Sequence, residues 1–254
     1  MKSTAVNPKM MVMTSPKTHK VLPGFFWLVE KYIRAEVDIT IFGYDEDYQA
    51  ASAYNATFHS FGKFADWPIN KWADSFLEAI DELDEEIFWF MMDDYWIIRQ
   101  VDHVAVNLLA EYMMFHEAVI KTDLATDRLY AKAGADYLYG ANTLDRVSYL
   151  DLIKSDPNTP YHMSLWSGLW RSSLLKEIVV KGETAQQIEV NGTRRLGQRP
   201  DIEVIGTRQA PLLHTNIIRG GGHPVYTGYN IGKRSVNSVS AGDLRELRIE
   251  GRLP

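Results

Sequence analysis

Asp93 and Asp94 are adjacent carboxylates that follow the run Glu86-Ile-Phe-Trp-Phe-Met-Met92, whose unbroken apolar character marks a buried strand. Two acids at the mouth of such a strand are suited to holding a hard divalent cation, Mg²⁺ or Mn²⁺, and through it the phosphates of a nucleotide. Adjacent acids are also what a helix cap or a solvated turn looks like, so their meaning depends on what surrounds them. Thr14 and Ser15 put small hydroxyls at the end of a second apolar run, Lys9 to Met13.

Three further groups could carry chemistry. Trp166 and Trp170 lie four residues apart beside Gly168 and Arg171. Flat aromatic faces there would grip a sugar or a base and Arg171 would reach a phosphate or hydroxyl, although core packing explains such a pair equally well. Glu183 and Glu189 are candidates for a general base that takes the proton from an attacking hydroxyl, against the commoner role of solvated helix glutamates. His214 and His223 flank Arg219 and Gly220-Gly-Gly222; either could add a ligand to the metal or a donor to a phosphate, or be a lone surface histidine.

The elements that must position these residues follow from periodicity. Lys9 to Met13 reads as a first strand, Leu22 to Arg34 as a helix and Val37 to Gly43 as a second strand. Asn70 to Leu83 carries Trp72, Phe76, Leu77, Ile80 and Leu83 on one face, an amphipathic helix feeding the strand that ends at Asp93. Asp102 caps a helix expected to run from His103 to about Val119. Strands alternating with helices predict a mostly parallel sheet covered on both faces, whose carboxyl edge is where ligands bind. Pro160 to Arg171 is aromatic-rich and precedes a helix over Ser172 to Val179, while the last quarter has weak periodicity.

Composition sets the outer bounds. A chain of 254 residues with 46% hydrophobic content buries a large core, and no long linker or fixed-period repeat divides it. The absence of cysteine removes disulfides, thiolate ligands and a cysteine nucleophile, and fits a cytoplasmic protein. No signal peptide and no run of about 18 apolar residues is present, so no membrane span is expected and the sequons at Asn55 and Asn191 read as chance. The net charge of -6 is uneven: residues 192–254 hold ten Lys and Arg against five Asp and Glu. That basic part suits phosphate-bearing ligands or nucleic acid, or is an ordinary solvated surface.

Taken together, these residues resemble nucleotide-sugar glycosyltransferases of the GT-A type, particularly small bacterial and viral enzymes of polysaccharide synthesis. Thr14-Ser15, Trp72 to Leu83, the Met92-Asp93-Asp94-Tyr95-Trp96 block, Ser164-x-x-x-Gly168-Leu169-Trp170-Arg171 and the Glu183 to Glu189 spacing follow that family's order over roughly residues 8 to 222. Two departures fall on the acceptor side: Trp166-Ser167 replaces a Gln-Pro pair, and Gln186 stands where a Trp is usual.

The resemblance implies a single α/β domain, GT-A-like and Rossmann-type, with a core over about 8–190 and a basic, Gly-rich part over about 191–254. It implies metal-dependent transfer from a nucleotide-sugar to a hydroxyl acceptor, a saccharide or a hydroxymethylated base in viral DNA. Asp93 and Asp94 would hold Mn²⁺ or Mg²⁺ and the donor, with Thr14, Ser15 and Arg219 near the nucleotide. Trp166, Gly168, Trp170 and Arg171 would shape the acceptor pocket, and Glu183 or Glu189 would be the base. The rival class is a non-catalytic glycan- or nucleotide-binding module on the same fold. A two-metal phosphate-ester hydrolase lacks an evident cluster of further ligands.

Overall fold

The computed structural model describes residues 6–33, 37–45, 55–126, 142–154, 157, 159–219, 223–226, 230–231, 234–235 and 238–254, without the side chains of 142, 143, 219, 223, 230, 231, 234 and 235. One sheet of nine strands organises the chain, in the order β3-β2-β1-β4-β9-β6-β10-β8-β7. The strands are β1 (Met10–Met13), β2 (Ile39–Gly43), β3 (Ala56–Ser60), β4 (Ile87–Met92), β6 (Val119–Asp123), β7 (Asn142–Val147), β8 (Leu150–Lys154), β9 (Gly168–Arg171) and β10 (Glu203–Thr207). Only β8 and β9 run against the common direction, so the carboxyl ends of β1, β2, β4, β6 and β10 share one edge.

Helices cover both faces. Alternation along β1 sends Met10 and Val12 to one face and Met11 and Met13 to the other; along β4, Trp89 and Met91 oppose Phe88 and Phe90. On the first face lie α1 (Leu22–Tyr32) and α3 (His103–Phe115), and on the second α2 (Trp72–Leu83), α4 (Ser172–Ile178) and α5 (Ala185–Leu196). A strand covered twice has no polar side to show, which is why β1 and β4 read as unbroken apolar runs. A final helix, α6 (Ala241–Ile249), docks on α1: Lys31 Nζ donates to Asp243 and Glu246 at 2.8 Å each, and Tyr32 Oη to Asp243 at 2.7 Å.

Local signals start and stop these helices. Asp102 accepts from the Ala105 amide at 3.0 Å, the expected N-cap of α3. Thr184 and Gln187 form a reciprocal capping box at the start of α5. Helix α2 ends where Asp84 turns left-handed, with φ 51°.

The structure departs from the sequence reading in three places. Helix α3 stops at Phe115 rather than near Val119, because Val119 to Asp123 pairs with β9 and β10 as strand β6. Its two charges, Lys121 and Asp123, mask its buried character. The sheet also continues past residue 190, since β10 lies between β6 and β8. Finally, β3 precedes α2 where the sequence reading has no strand between Gly43 and Asn70, so the strand ending at Met92 is the fourth; the mixed, half-exposed residues of β3 give no clear alternation. Among the described residues no helix is long and apolar enough to cross a membrane.

Gly168 opens β9 where no side chain fits: a Cβ there would lie 2.9 Å from Lys121 Cε and 2.9 Å from the Thr122 carbonyl. Gly168→Ala is expected to destabilise the protein by about 1–3 kcal/mol, the usual cost of overpacking, measured by urea denaturation.

Candidate functional site

Met13 and Met92 are partners in the parallel β1–β4 ladder, so the residues that follow them, Thr14 and Asp93, leave the sheet side by side. The Asp93 amide donates to the Met13 carbonyl at 3.2 Å and the Thr14 amide to the Phe42 carbonyl at 2.9 Å, which fixes both backbones. Thr14 Oγ1 then donates to Asp93 Oδ2 at 2.6 Å, a short charge-assisted bond. The Asp94 carbonyl accepts from the Ile217 amide at 2.9 Å, tying down the segment after β11 (His214–Asn216), which pairs antiparallel with β5 (Tyr95–Ile97).

Both carboxylates are buried, Asp93 to 1% exposure and Asp94 to 6%. Burial raises the Asp93 pKa to about 6, even though hydrogen bonds from Thr14 and Thr18 pull it back. Asp94 is raised well above the usual carboxylate range by burial and by the neighbouring charge of Asp93. Asp94 Oδ1 is buried with no hydrogen-bond partner among the described residues. An uncompensated carboxylate oxygen beside a second carboxylate fits a hard divalent cation, which needs only one or two protein carboxylates when phosphates supply the rest.

Beside Asp93 opens a cleft of about 490 Å³, whose lining does not include Asp94. Thr14, Ser15, Lys17 and Thr18 of the β1–α1 turn form one side, with Met92 and Asp93; Tyr44, Phe64, Trp67 and Trp72 form an aromatic wall. That wall is held in place. Tyr44 packs on Phe61 and Phe64 at 5.3 and 5.2 Å between centroids and donates to Ser75 Oγ at 2.9 Å, while Trp67 Nε1 donates to the Phe61 carbonyl at 2.9 Å. The turn is equally tight: Ser15 O accepts the amides of Thr18 and His19, and the Ser15 amide donates to Thr18 Oγ1. The cleft thus presents flat aromatic faces together with hydroxyls, an ammonium and a carboxylate.

The other candidate residues fall elsewhere. Trp170 is fully buried in β9, and Arg171 lies at the opposite edge of the sheet from Asp93, across from Ile87. Its guanidinium bonds Glu86 at 3.0 Å and the carbonyls of Met113, His116 and Val119. Trp166 is partly buried, edge-on to His214 at 5.2 Å; His214 stacks on Tyr95 at 4.8 Å. Glu183 pairs with Arg195 through both oxygens, at 2.9 and 2.6 Å, and accepts from Asn191. Burial alone would raise its pKa, but these hydrogen bonds outweigh that and hold it low. Glu189 Oε1 accepts from the Leu165 amide at 2.8 Å, on the segment that leads into Gly168.

Among the described residues no three His, Asp or Glu side chains converge as a metal-ligand set, so His214 does not join the two aspartates in one. The side chains of Arg219 and His223 lie outside the described residues; their backbones pair in the ribbon of β12 (Ile218–Arg219) and β13 (His223–Pro224).

Sequence reasoning missed the aromatic wall, although the density of Phe61, Phe64, Trp67 and Trp72 was its available signal. It also missed Lys121 and Asp123, a fully buried ion pair. Lys121 Nζ also donates to Ser164 O at 2.8 Å and Oγ at 3.1 Å, and lies 5.0 Å from the Trp170 ring centroid. Asp123 ends β6 at the ligand edge, opposite Gly168.

These features define a single-domain, Rossmann-like α/β fold with a mostly parallel sheet and a cleft at its carboxyl edge. No family model matches the chain, and no curated protein matches it in sequence. Among solved structures it is similar to S. aureus TarS 1-349 in complex with UDP, at 13% identity and a TM-score of 0.49, over 77% of this chain and 57% of that one. It is also similar to a UDP-glucose pyrophosphorylase complexed with UDP-glucose, at 10% and 0.47 over 83% and 92%, and to a cytidylyltransferase from Leptospira borgpetersenii, at 10% and 0.42 over 72% and 68%. The chain spans 35% of a longer TarS chain.

Because Asp93 and Asp94 titrate higher in the folded than in the unfolded chain, ionising them costs stability. That cost is absent below the unfolded value of 3.8 and grows as pH rises through about 6 for Asp93. Asp93→Asn is therefore expected to gain about 1–3 kcal/mol over wild type at pH 7.5, a gain that vanishes near pH 3.5, read from denaturation curves across that range.

Proposed function

We propose that this chain is a glycosyltransferase that uses a nucleotide-sugar donor and a hydroxyl acceptor. The observation that carries this reading is the Thr14–Asp93 bond beside the partnerless Asp94 oxygen, at the edge of an aromatic-walled cleft of nucleotide size. The base stacks against Tyr44, Phe64 and Trp67, and the hydroxyls of Ser15 and Thr18 face the ribose and phosphates. Asp93 and Asp94 would hold a Mg²⁺ or Mn²⁺ ion, which neutralises the diphosphate as it leaves. In the transfer, an acceptor oxygen bonds to the anomeric carbon while the bond to the diphosphate breaks. The electron pair leaves with the phosphate oxygen, and the acceptor's proton passes to a carboxylate.

Thermal-shift titration with UDP-, GDP-, CMP- and dTDP-sugars, with and without Mn²⁺, tests the reading. One donor is expected to raise the melting temperature in a metal-dependent way. Asp94→Ala should remove that shift and donor hydrolysis together, and a wild type blind to every nucleotide would sink the proposal.

Of the two glutamates that the resemblance offers as the base, Glu183 is held by Arg195 with its proton affinity kept low, so we propose Glu189 for the proton. Glu189→Gln is expected to slow donor hydrolysis at least about 100-fold with donor affinity unchanged, the range for losing a general base. Glu183→Gln should instead lower the melting temperature while folded molecules keep their turnover; the reverse pattern would exchange the two roles.

A further inference from the structure

The cleft has a second charged group besides Asp93. Lys17 lies on the β1–α1 turn and lines the cleft with its side chain exposed. Its ammonium rests 5.9 Å from the centroid of the Phe64 ring and, among the described residues, has no carboxylate within ion-pair distance. Several other lysines are spent on acids, Lys9 on Glu85, Lys31 on Asp243 and Glu246, Lys121 on Asp123, Lys154 on Glu203 and Lys176 on Asp81; Lys63, Lys71 and Lys181 have no such acid among the described residues, but they do not line this cleft, whereas Lys17 does. A lysine left without an acid at the mouth of a cleft, on a turn whose backbone is locked by Ser15 and Thr18, has its position fixed and its charge available.

We infer that Lys17 binds the donor's phosphates directly, so that the cleft takes a nucleoside diphosphate on its aromatic wall and this ammonium even without a divalent cation. The inference rests on the transferase reading and adds a second anion anchor to it. An exposed ammonium over an aromatic face is weakly held, whereas an ammonium on a phosphate makes charge-assisted hydrogen bonds, so the side chain gains by leaving Phe64 for the ligand. The division of labour is electrostatic: the carboxylates attract a cation, and Lys17 attracts the anion itself. Proximity of the anion pole to the base-stacking wall matches the short reach from a base, through a ribose, to its first phosphates.

Isothermal titration in EDTA of UDP and GDP, each against its parent nucleoside, reads the increment in affinity that the phosphates supply. In wild type the preferred diphosphate should bind more tightly than its nucleoside. Lys17→Met, which keeps the apolar stem, should lose about tenfold on the diphosphate and nothing on the nucleoside, while Lys17→Arg restores most of the increment. Unchanged diphosphate affinity in Lys17→Met, or equal losses on diphosphate and nucleoside, overturns the role of Lys17 and leaves the transferase reading standing. A wild type that binds neither diphosphate nor nucleoside, with or without Mn²⁺, overturns both.

Discussion

Two carboxylates held almost without water at the end of a central strand are the constraint around which this molecule is built. Burying such charge is costly unless partners compensate for it; Thr14 and Thr18 hydrogen-bond Asp93, whereas Asp94 Oδ1 has no partner among the described residues. The site persists because its backbone is not free to rearrange. The Asp93 amide is held by the Met13 carbonyl just past the β1–β4 ladder, and the Asp94 carbonyl is clamped by the segment that crosses after β11. Apolar packing on both faces of the sheet offsets the cost, and ligand binding would relieve it.

Several charges elsewhere in the fold are paired and structural. Arg171 binds Glu86 and three carbonyls at the edge opposite the aspartates, tying the start of β4 to the end of α3. Lys121 and Asp123 neutralise each other inside the sheet, and Lys121 holds the Ser164 segment that leads into β9. Such pairs specify one arrangement of strands more than they add stability. The contrast gives the cleft its meaning, for Asp94 Oδ1 and Lys17 are groups that this pairing leaves over.

Much of the frame was legible in the residues. The apolar runs of β1 and β4, the stripes of α1 and α2 and the cap at Asp102 all announce themselves, because each depends on neighbours within a few positions. Thr14, Ser15 and the two aspartates were readable for the same reason, standing at the ends of recognisable strands. The Trp166 to Arg171 stretch was harder. Its aromatic and charged residues look like a binding surface, yet pairing between β4 and β6 turns Trp170 into core and sends Arg171 to the far edge. Strand β6 stayed hidden because Lys121 finds its carboxylate partner, Asp123, only two residues on, and a charged strand does not look buried until that pair is seen.

By itself, then, the sequence determined the class of fold and the presence of an acidic pair at its ligand edge, since strand runs, helix stripes and caps are encoded locally. What only the tertiary structure decided is which residues meet there. Thr14 reaches Asp93 across 79 positions of chain, and an aromatic wall assembled from the end of β2, the stretch after β3 and the start of α2 lines the same cleft as the turn that carries Lys17. Those meetings depend on strand order and register, which are set by burying two whole faces at once and leave no mark in any short window of residues.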